Sequence, residues 1–176
     1  MGGTKRADEA ARRDFIERAY LECRFPVYRY LRTLTRSDEA ATDLAATTFE
    51  RAFTSASRFD PARPVLPWLL RIARNLAIDD RRRTRPTMSL DAIPAAAHPV
   101  EGRTPEHAVL GAERDAQLRE LVLALPRSSQ DAIALRYAAG LTAREIALVI
   151  GKSEEATQKL LVRALGALRE AHDERR

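Results

Sequence analysis

The chain has 176 residues, which allows one or two small domains and excludes a large barrel enzyme. Its residues are 45% apolar and 31% charged and only seven are glycine, which indicates a globular, mostly helical chain. The net charge of +5 favours an anionic partner, although a modest excess of arginine is more often only a solvated surface. Its one cysteine, Cys23, excludes an internal disulfide, and its three histidines have no zinc-ligand spacing, so we expect no metal and no cofactor.

The beginning of the chain argues for a cytoplasmic protein. The first residues become charged at once, so the sequence does not read as a signal peptide. No stretch approaches the roughly 18 apolar residues that a membrane-spanning helix needs. We therefore expect a cytoplasmic location and no membrane insertion.

The N-terminal half shows three helical patterns. They cover residues 8–34, 38–57 and 67–84. Pro26 predicts a break in the first helix, because proline lacks the backbone N–H that an interior position donates. Ser37 is a suitable N-cap for the second helix. The pair Asp60-Pro61, with Pro64, predicts a loop before the third.

Residues 86–107 read as a linker. This 22-residue segment contains four of the nine prolines and has no sustained helical or strand period. It divides the chain into residues 1–85 and residues 108–176, and fully extended it could span about 70 Å. We therefore predict an all-α fold of two small helical domains, joined by a flexible proline-rich linker, that can act at separated sites.

The third helix carries a cationic face. Eight arginines and three aspartates lie between Arg58 and Arg85, so this segment holds a charge of +5. The predicted helix has Leu69, Ile72, Ala73 and Leu76 on its core side, and Arg71, Arg74, Asn75, Ile78, Arg81 and Arg82 on another. Guanidinium groups suit phosphates, Asn75 adds a base-edge hydrogen bonder, and Trp68 adds a stacking plane. On charge alone, a solvated basic helix explains the pattern equally well.

The C-terminal half predicts a helix-turn-helix. Its helical patterns cover residues 106–124, 128–138, 143–150 and 154–171. Ala147 and Gly151 supply the small and the permissive residue that a close crossing of the last two helices requires. Ser153 caps the second of them. An ordinary helical hairpin also uses alanine and glycine, but the pattern favours DNA binding.

The sequence shows no catalytic constellation. Asp79 and Asp80 are adjacent, so on a helix they point about 100° apart and cannot cooperate as paired carboxylates. Ser128 and Ser129 have no histidine or lysine close by in sequence, and no glycine-rich phosphate loop occurs. We therefore expect that the protein is not an enzyme.

Two groups of residues form recognisable motifs. The first group is Asp43-Leu44, Phe49, Arg58-Phe59-Asp60-Pro61 and residues 68–79. The second group is Leu125-Pro126, residues 134–137, Gly140-Leu141-Thr142, Glu145-Ile146-Ala147 and Gly151. They resemble, in this order, region 2 and region 4 of a known family, the extracytoplasmic-function (ECF) sigma factors of bacterial RNA polymerase. The order of these motifs, the proline-rich linker and the length also resemble the family.

The resemblance implies a dissociable subunit that binds core RNA polymerase and promoter DNA, with an anti-sigma factor as the usual regulator. It implies core polymerase binding by Asp43, Leu44, Ala46, Thr47 and Arg51. It implies −10 element binding by Phe59, Asp60, Arg63, Trp68, Arg71, Arg74, Asn75 and Arg82, with a flipped base held by residues 59–66. It implies −35 element binding by Ser153, Glu155, Ala156, Gln158, Lys159 and Arg163.

Four positions depart from the family pattern. The family commonly has glutamine and an acidic residue where this chain has Ala46 and Thr47, and basic residues where it has Gln158 and Leu160. Two alternatives therefore stay open. One is a helix-turn-helix regulator that acts without polymerase, and the other is a degenerate sigma fold that serves only protein interactions.

Overall fold

The computed structural model describes residues 3–60, 62–83 and 105–174, and within them it contains helices and no strand. The helices are α1 (Gly3–Leu34), α2 (Asp38–Ser55), α3 (Val65–Arg83), α4 (Pro105–Ala124), α5 (Arg127–Ile133), α6 (Ala143–Ile150) and α7 (Glu154–Asp173). A 3-10 turn (Ala56–Arg58) follows α2, and a π-helical turn (Ala134–Ala138) follows α5. The predicted all-α class is confirmed.

The predicted linker needs one correction at its end. Most of residues 86–107 lies outside the described residues, but α4 begins at Pro105. The last three residues assigned to the linker are therefore helical. Proline suits this position, because the first helical residue has no partner for its backbone N–H in any case.

The predicted break in α1 at Pro26 is wrong. The helix runs from Gly3 to Leu34 through the proline. Its buried residues continue at helical spacing on both sides, namely Ile16, Ala19, Cys23, Val27, Tyr30, Leu31 and Leu34. Packing of this continuous face against the core outweighs the single hydrogen bond that proline removes.

The helix ends follow their sequence signals. Ser37 caps α2 and Ser153 caps α7, each by accepting a bond from a backbone N–H in the first turn. Thr142 and Glu145 form a reciprocal capping box at the start of α6. Gly151 ends α6 in the left-handed conformation, at φ 70°, which glycine adopts without the strain of a side chain.

The two halves of the chain share one hydrophobic core. A single cluster of buried residues combines Val27, Leu31, Leu69 and Leu70 of the N-terminal half with Leu135, Leu141, Ile146 and Val149 of the C-terminal half. A smaller cluster, formed by Val122, Leu125, Ile133 and Ala164, lies within the C-terminal half. The sequence predicted two separable units but not that they would pack against each other.

Candidate nucleic-acid interface

Helix α3 has the buried side that its sequence predicted. Leu69, Leu70 and Ala73 are fully buried, Leu76 and Ala77 nearly so, and Ile72 packs against the same core. This anchored side fixes the rotation of the helix. The direction in which each arginine of α3 points is therefore set by burial of the opposite side.

The predicted cationic face of α3 divides into two. Arg71, Asn75 and Arg82 are exposed and follow one line along the helix, which we call the outer stripe. Arg74, Ile78 and Arg81 follow a neighbouring line, are half-buried, and line a groove against α5. Arg82 also borders this groove, whereas Arg71 and Asn75 do not, so the structure divides the predicted −10 residues of this helix.

Arg74 is held by an acidic residue of the C-terminal half. Its Nε donates to Oδ2 of Asp131 at 2.9 Å, and the Tyr30 hydroxyl donates to Oδ1 of the same carboxylate at 3.3 Å. The Asp131 side chain is only 6% exposed and that of Arg74 is 26% exposed. Burial, and then the charge of Asp131, raises the pKa of Tyr30 well above its ordinary value, so the phenol remains a donor.

The groove beside this pair is strongly basic. It has a volume of about 300 Å³ and is lined by Arg74, Ile78, Arg81, Arg82, Arg127, Ser128 and Asp131. Arg81 donates to the backbone oxygen of Leu34 at 3.2 Å. Burial lowers the pKa of Arg81; the charge of Asp131 opposes this effect and that of Arg127 adds to it. Two guanidinium groups from opposite halves of the chain thus repel each other here.

The loop before α3 is anchored by aromatic rings. The Phe59 ring stacks on Phe15 at 5.1 Å and lies 4.6 Å from the Trp68 ring, between ring centroids. Both Phe59 and Trp68 are half-buried, so these predicted −10 residues also hold α1, the loop and α3 together. They position the loop in addition to any contact with a base.

The loop itself is shorter than predicted. Its predicted end, Leu66, lies inside α3, which begins at Val65, and Pro61 is outside the described residues. The Asp60 carboxylate accepts from the backbone N–H of Ala62 at 3.0 Å and pairs with Arg63 at 3.5 Å. Asp60 and Arg63 are both exposed, so either can reach a ligand.

The predicted polymerase-binding residues lie along α2 with unequal exposure. Asp43, Ala46 and Arg51 are exposed, and Thr47 is half-buried with its hydroxyl donating to the backbone oxygen of Asp43 at 2.9 Å. Leu44 packs against the hydrophobic core. The exposed part of this surface therefore consists of one acidic, one basic and one small residue.

The predicted helix-turn-helix is present as α6 and α7. Ala147, which was predicted to lie at the helix crossing, is nearly buried, and its neighbour Ile146 is fully buried. Along α7, Glu155, Gln158, Lys159 and Arg163 are exposed, Ala156 is half-buried, and Ser153 is exposed as the N-cap. Lys159 pairs with Glu155 at 2.6 Å, so one predicted cation is already engaged.

Leu160 belongs to the core side of α7. It is only 8% exposed and packs next to the fully buried Thr157. It therefore cannot replace a basic contact to DNA at the position where the family commonly has one. A groove of about 560 Å³ runs between α5 and α7, lined by Pro126, Ser128, Ser129, Lys152, Ala156, Lys159, Leu160, Arg163 and Ala167.

Sequence reasoning missed several residues of these grooves. Asp131, Tyr30 and Arg127 were not singled out, because their importance depends on which helix faces meet. Lys152 lies directly after Gly151 and just before the capped helix α7, and this position was the one sequence signal that could have marked it as a site residue. It lines the α5–α7 groove together with Lys159 and Arg163.

The residues that the structure describes contain no group of three or more histidine, cysteine, aspartate or glutamate side chains arranged to hold a metal ion. None of their helices is both long enough and apolar enough to cross a membrane.

Comparisons with known proteins match both halves of the chain. The family model Sigma-70 region 2 matches residues 20–87, and the model Sigma-70, region 4 matches residues 115–168. The ECF RNA polymerase sigma factor SigM of Bacillus subtilis is 30% identical over 144 residues, which cover 78% of this chain and 83% of SigM.

Two other comparisons extend these matches. The ECF RNA polymerase sigma factor BldN of Streptomyces coelicolor is 33% identical over 91% of this chain, which spans only 61% of the length of BldN. The solved sigma factor RpoE of Bartonella quintana, in complex with the anti-sigma factor NepR, has a TM-score of 0.70 at 20% identity and covers 93% of this chain and 99% of that one. This structural similarity shows the shared fold.

Proposed function

Because this chain belongs to the ECF sigma factors of the sigma-70 family, we propose that it binds core RNA polymerase and directs promoter-specific initiation of transcription. The observation that carries the proposal is the presence of two DNA-suited surfaces in one chain. One is the outer stripe of α3, and the other is the exposed side of α7 in the helix-turn-helix. A promoter with −10 and −35 elements presents two matching targets.

The outer stripe supports a role at the −10 element. Arg71 and Arg82 present exposed guanidinium groups that suit backbone phosphates, and Asn75 between them can hydrogen-bond a base edge. Phosphate contacts contribute affinity without sequence information, whereas base contacts discriminate. Phe59, at the start of the preceding loop, packs 4.6 Å from Trp68 of α3, between ring centroids, and this contact supports the proposal that the loop receives an extruded base.

Helix α7 supports a role in binding the −35 element, with low affinity for DNA. The segment from Gly140 to Arg176 has seven basic and six acidic residues, a net charge of only +1. Each phosphate contact steepens the salt dependence of binding. This segment alone is therefore expected to bind DNA weakly, with an affinity that falls only slowly as the salt concentration rises. Attachment to a polymerase-bound N-terminal half raises its effective concentration at the promoter.

The exposed residues of α2 support binding to core polymerase. Replacing Asp43 by Arg reverses a charge on this surface and should abolish co-purification with core polymerase. Asp43 is exposed, so the variant should retain its helix content. The control is Asp173→Arg, which makes the same charge reversal at the exposed end of α7 and should leave association intact. Association of Asp43→Arg at wild-type affinity would show that this surface is not the interface.

The proposal also covers where the protein acts, what regulates it and whether it catalyses a reaction. We place the protein in the cytoplasm, where polymerase acts, and assign it no catalytic turnover of its own. An anti-sigma factor is the proposed regulator, supported by the similar fold of RpoE, which was solved with NepR. Affinity purification of the chain from its own cells tests whether core polymerase and an anti-sigma factor are recovered with it. Recovery of DNA without core polymerase would instead indicate a polymerase-independent regulator.

A further inference from the structure

Three aromatic rings meet at the start of the loop before α3. Phe15 of α1 stacks on Phe59, with 5.1 Å between ring centroids and 26° between ring planes. The Phe59 ring also lies 4.6 Å from the Trp68 ring, and the centroids of Phe15 and Trp68 are 6.3 Å apart. All three distances lie in the range of interacting aromatic pairs, so this ring cluster joins α1, the loop and α3.

Phe59 is the anchored end of this loop. Among the described residues from 59 to 64, Phe59 alone has a half-buried side chain and the others are exposed. Phe15 and Trp68 both pack against the hydrophobic core, so they connect Phe59 to it.

The residues after Phe59 form a compact turn. The Asp60 carboxylate accepts from the backbone N–H of Ala62 at 3.0 Å, and the Asp60 backbone oxygen accepts from the backbone N–H of Arg63 at 2.9 Å. Such local bonds tie the residues of a turn to one another. A displacement of the Phe59 ring therefore displaces the exposed turn that follows it.

Phe15 lies in a part of α1 that the family comparison does not cover, because the match to Sigma-70 region 2 begins at residue 20. The neighbouring Ile16 and Ala19 are buried and already attach this part of α1 to the core. The contact that the Phe15 ring adds to theirs is the stacking on Phe59 and Trp68.

We infer that Phe15 is a positioning residue for −10 recognition: by stacking on Phe59 it holds the loop before α3 in one position, and this fixed position increases discrimination among bases. The inference rests on the proposed function and deepens it. Trp68 lies three positions before Arg71, so the anchored end of the loop is next to the outer stripe. A preformed loop receives a base at a lower ordering cost, and fixed donors and acceptors distinguish bases better than mobile ones.

The first test uses Trp68, the single tryptophan of the chain, as a reporter of the ring cluster. In Phe15→Ala, Trp68 loses a neighbouring ring and gains contact with water. Its emission should therefore shift to longer wavelength, and acrylamide should quench it more strongly. The matched control is Phe25→Ala, which removes an exposed ring of the same helix that packs on Arg24 and should change neither property. Unchanged Trp68 emission and quenching in a folded Phe15→Ala protein would overturn the inference.

The second test measures base preference. A promoter that the wild type transcribes with core polymerase is randomised in its −10 element, and the transcripts are sequenced. Phe15→Ala should reduce the preference for the favoured base by about two- to tenfold, the effect of one aromatic pair, whereas Phe25→Ala should keep the wild-type preference. Lower total transcription with an unchanged preference would assign Phe15 a merely structural role and refute the inference.

Two milder variants keep the test decisive if Phe15→Ala fails to fold. Phe15→Tyr retains the ring and should keep the wild-type base preference, whereas Phe15→Leu retains apolar volume without a ring and should lose part of it. A wild-type preference in Phe15→Leu would overturn the role of ring stacking. Failure of the proposed function is distinguishable, because then the wild type itself selects no promoter with core polymerase, and the inference falls with it.

Discussion

Replacing Leu160 by Arg tests the rotation of α7. Leu160 is only 8% exposed, and truncation of a buried leucine alone costs about 2–5 kcal/mol. The new guanidinium must either remain buried without a partner or extend into the α5–α7 groove, where Lys159 and Arg163 already lie. We therefore expect a loss of at least about 3 kcal/mol, a large part of the stability of a typical domain.

The matched control is Gln158→Arg, two positions earlier on the exposed side of the same helix. It introduces the same side chain without disturbing the core, so its stability should change by less than about 0.5 kcal/mol. It should also add one phosphate contact and steepen the slope of log K against log salt by about 0.9. Salt titration of −35 DNA binding measures this slope.

Thermal unfolding followed by far-ultraviolet circular dichroism separates the two variants. For a chain of this size a loss of 3 kcal/mol lowers the Tm by about 6 to 12 °C, whereas Gln158→Arg should melt within about 2 °C of the wild type. If Leu160→Arg melts like the wild type and binds −35 DNA more tightly, Leu160 faces the DNA. That result would refute the assignment of the buried side of α7.

The remaining predictions concern DNA discrimination and the buried thiol. In transcription assays, Asn75→Ala should change the preference among promoters with different −10 sequences, whereas Arg71→Ala should lower open-complex formation on every such promoter. An equal effect of Asn75→Ala on every promoter would exclude base recognition by Asn75. Burial, and then the charge of Glu22, raises the pKa of Cys23 from 9.0 to about 11. Because the thiol loses its proton at a lower pH in the unfolded chain than in the folded one, the free energy of unfolding should fall as pH rises from 9 to 11. Cys23→Ala should show a smaller fall. Urea titrations that give both proteins the same pH dependence would contradict this prediction.

Local signals explain why the helix boundaries could be predicted so closely. Ser37, Thr142, Gly151 and Ser153 act on backbone groups within a few residues of themselves, so their effect is visible in a short stretch of sequence. The core side of α3 was equally accessible, because helical spacing alone defines it. Pro26 shows the limit, since a local rule failed where a long buried face continued through it.

Long-range packing explains what the sequence could not show about the site. Tyr30 and Asp131 are 101 positions apart, and no periodicity indicates that their helices meet. The cationic face of α3 therefore read as one stripe, although Arg74 pairs with Asp131 of α5 and neither Arg71 nor Asn75 lines the groove beside that pair. Leu160 was likewise ambiguous, because it follows the charged Lys159 and precedes the apolar Leu161.

Transcription with reconstituted polymerase tests the proposed function most directly. Core RNA polymerase is mixed with the full chain, the complex is isolated, and transcripts from a fragmented genomic template are sequenced. The account predicts a stable complex that starts transcription at a limited set of sites with shared −10 and −35 sequences, and loss of these transcripts with Asp43→Arg. Transcripts identical to those of core polymerase alone, from a chain that is folded and bound to it, would contradict the account.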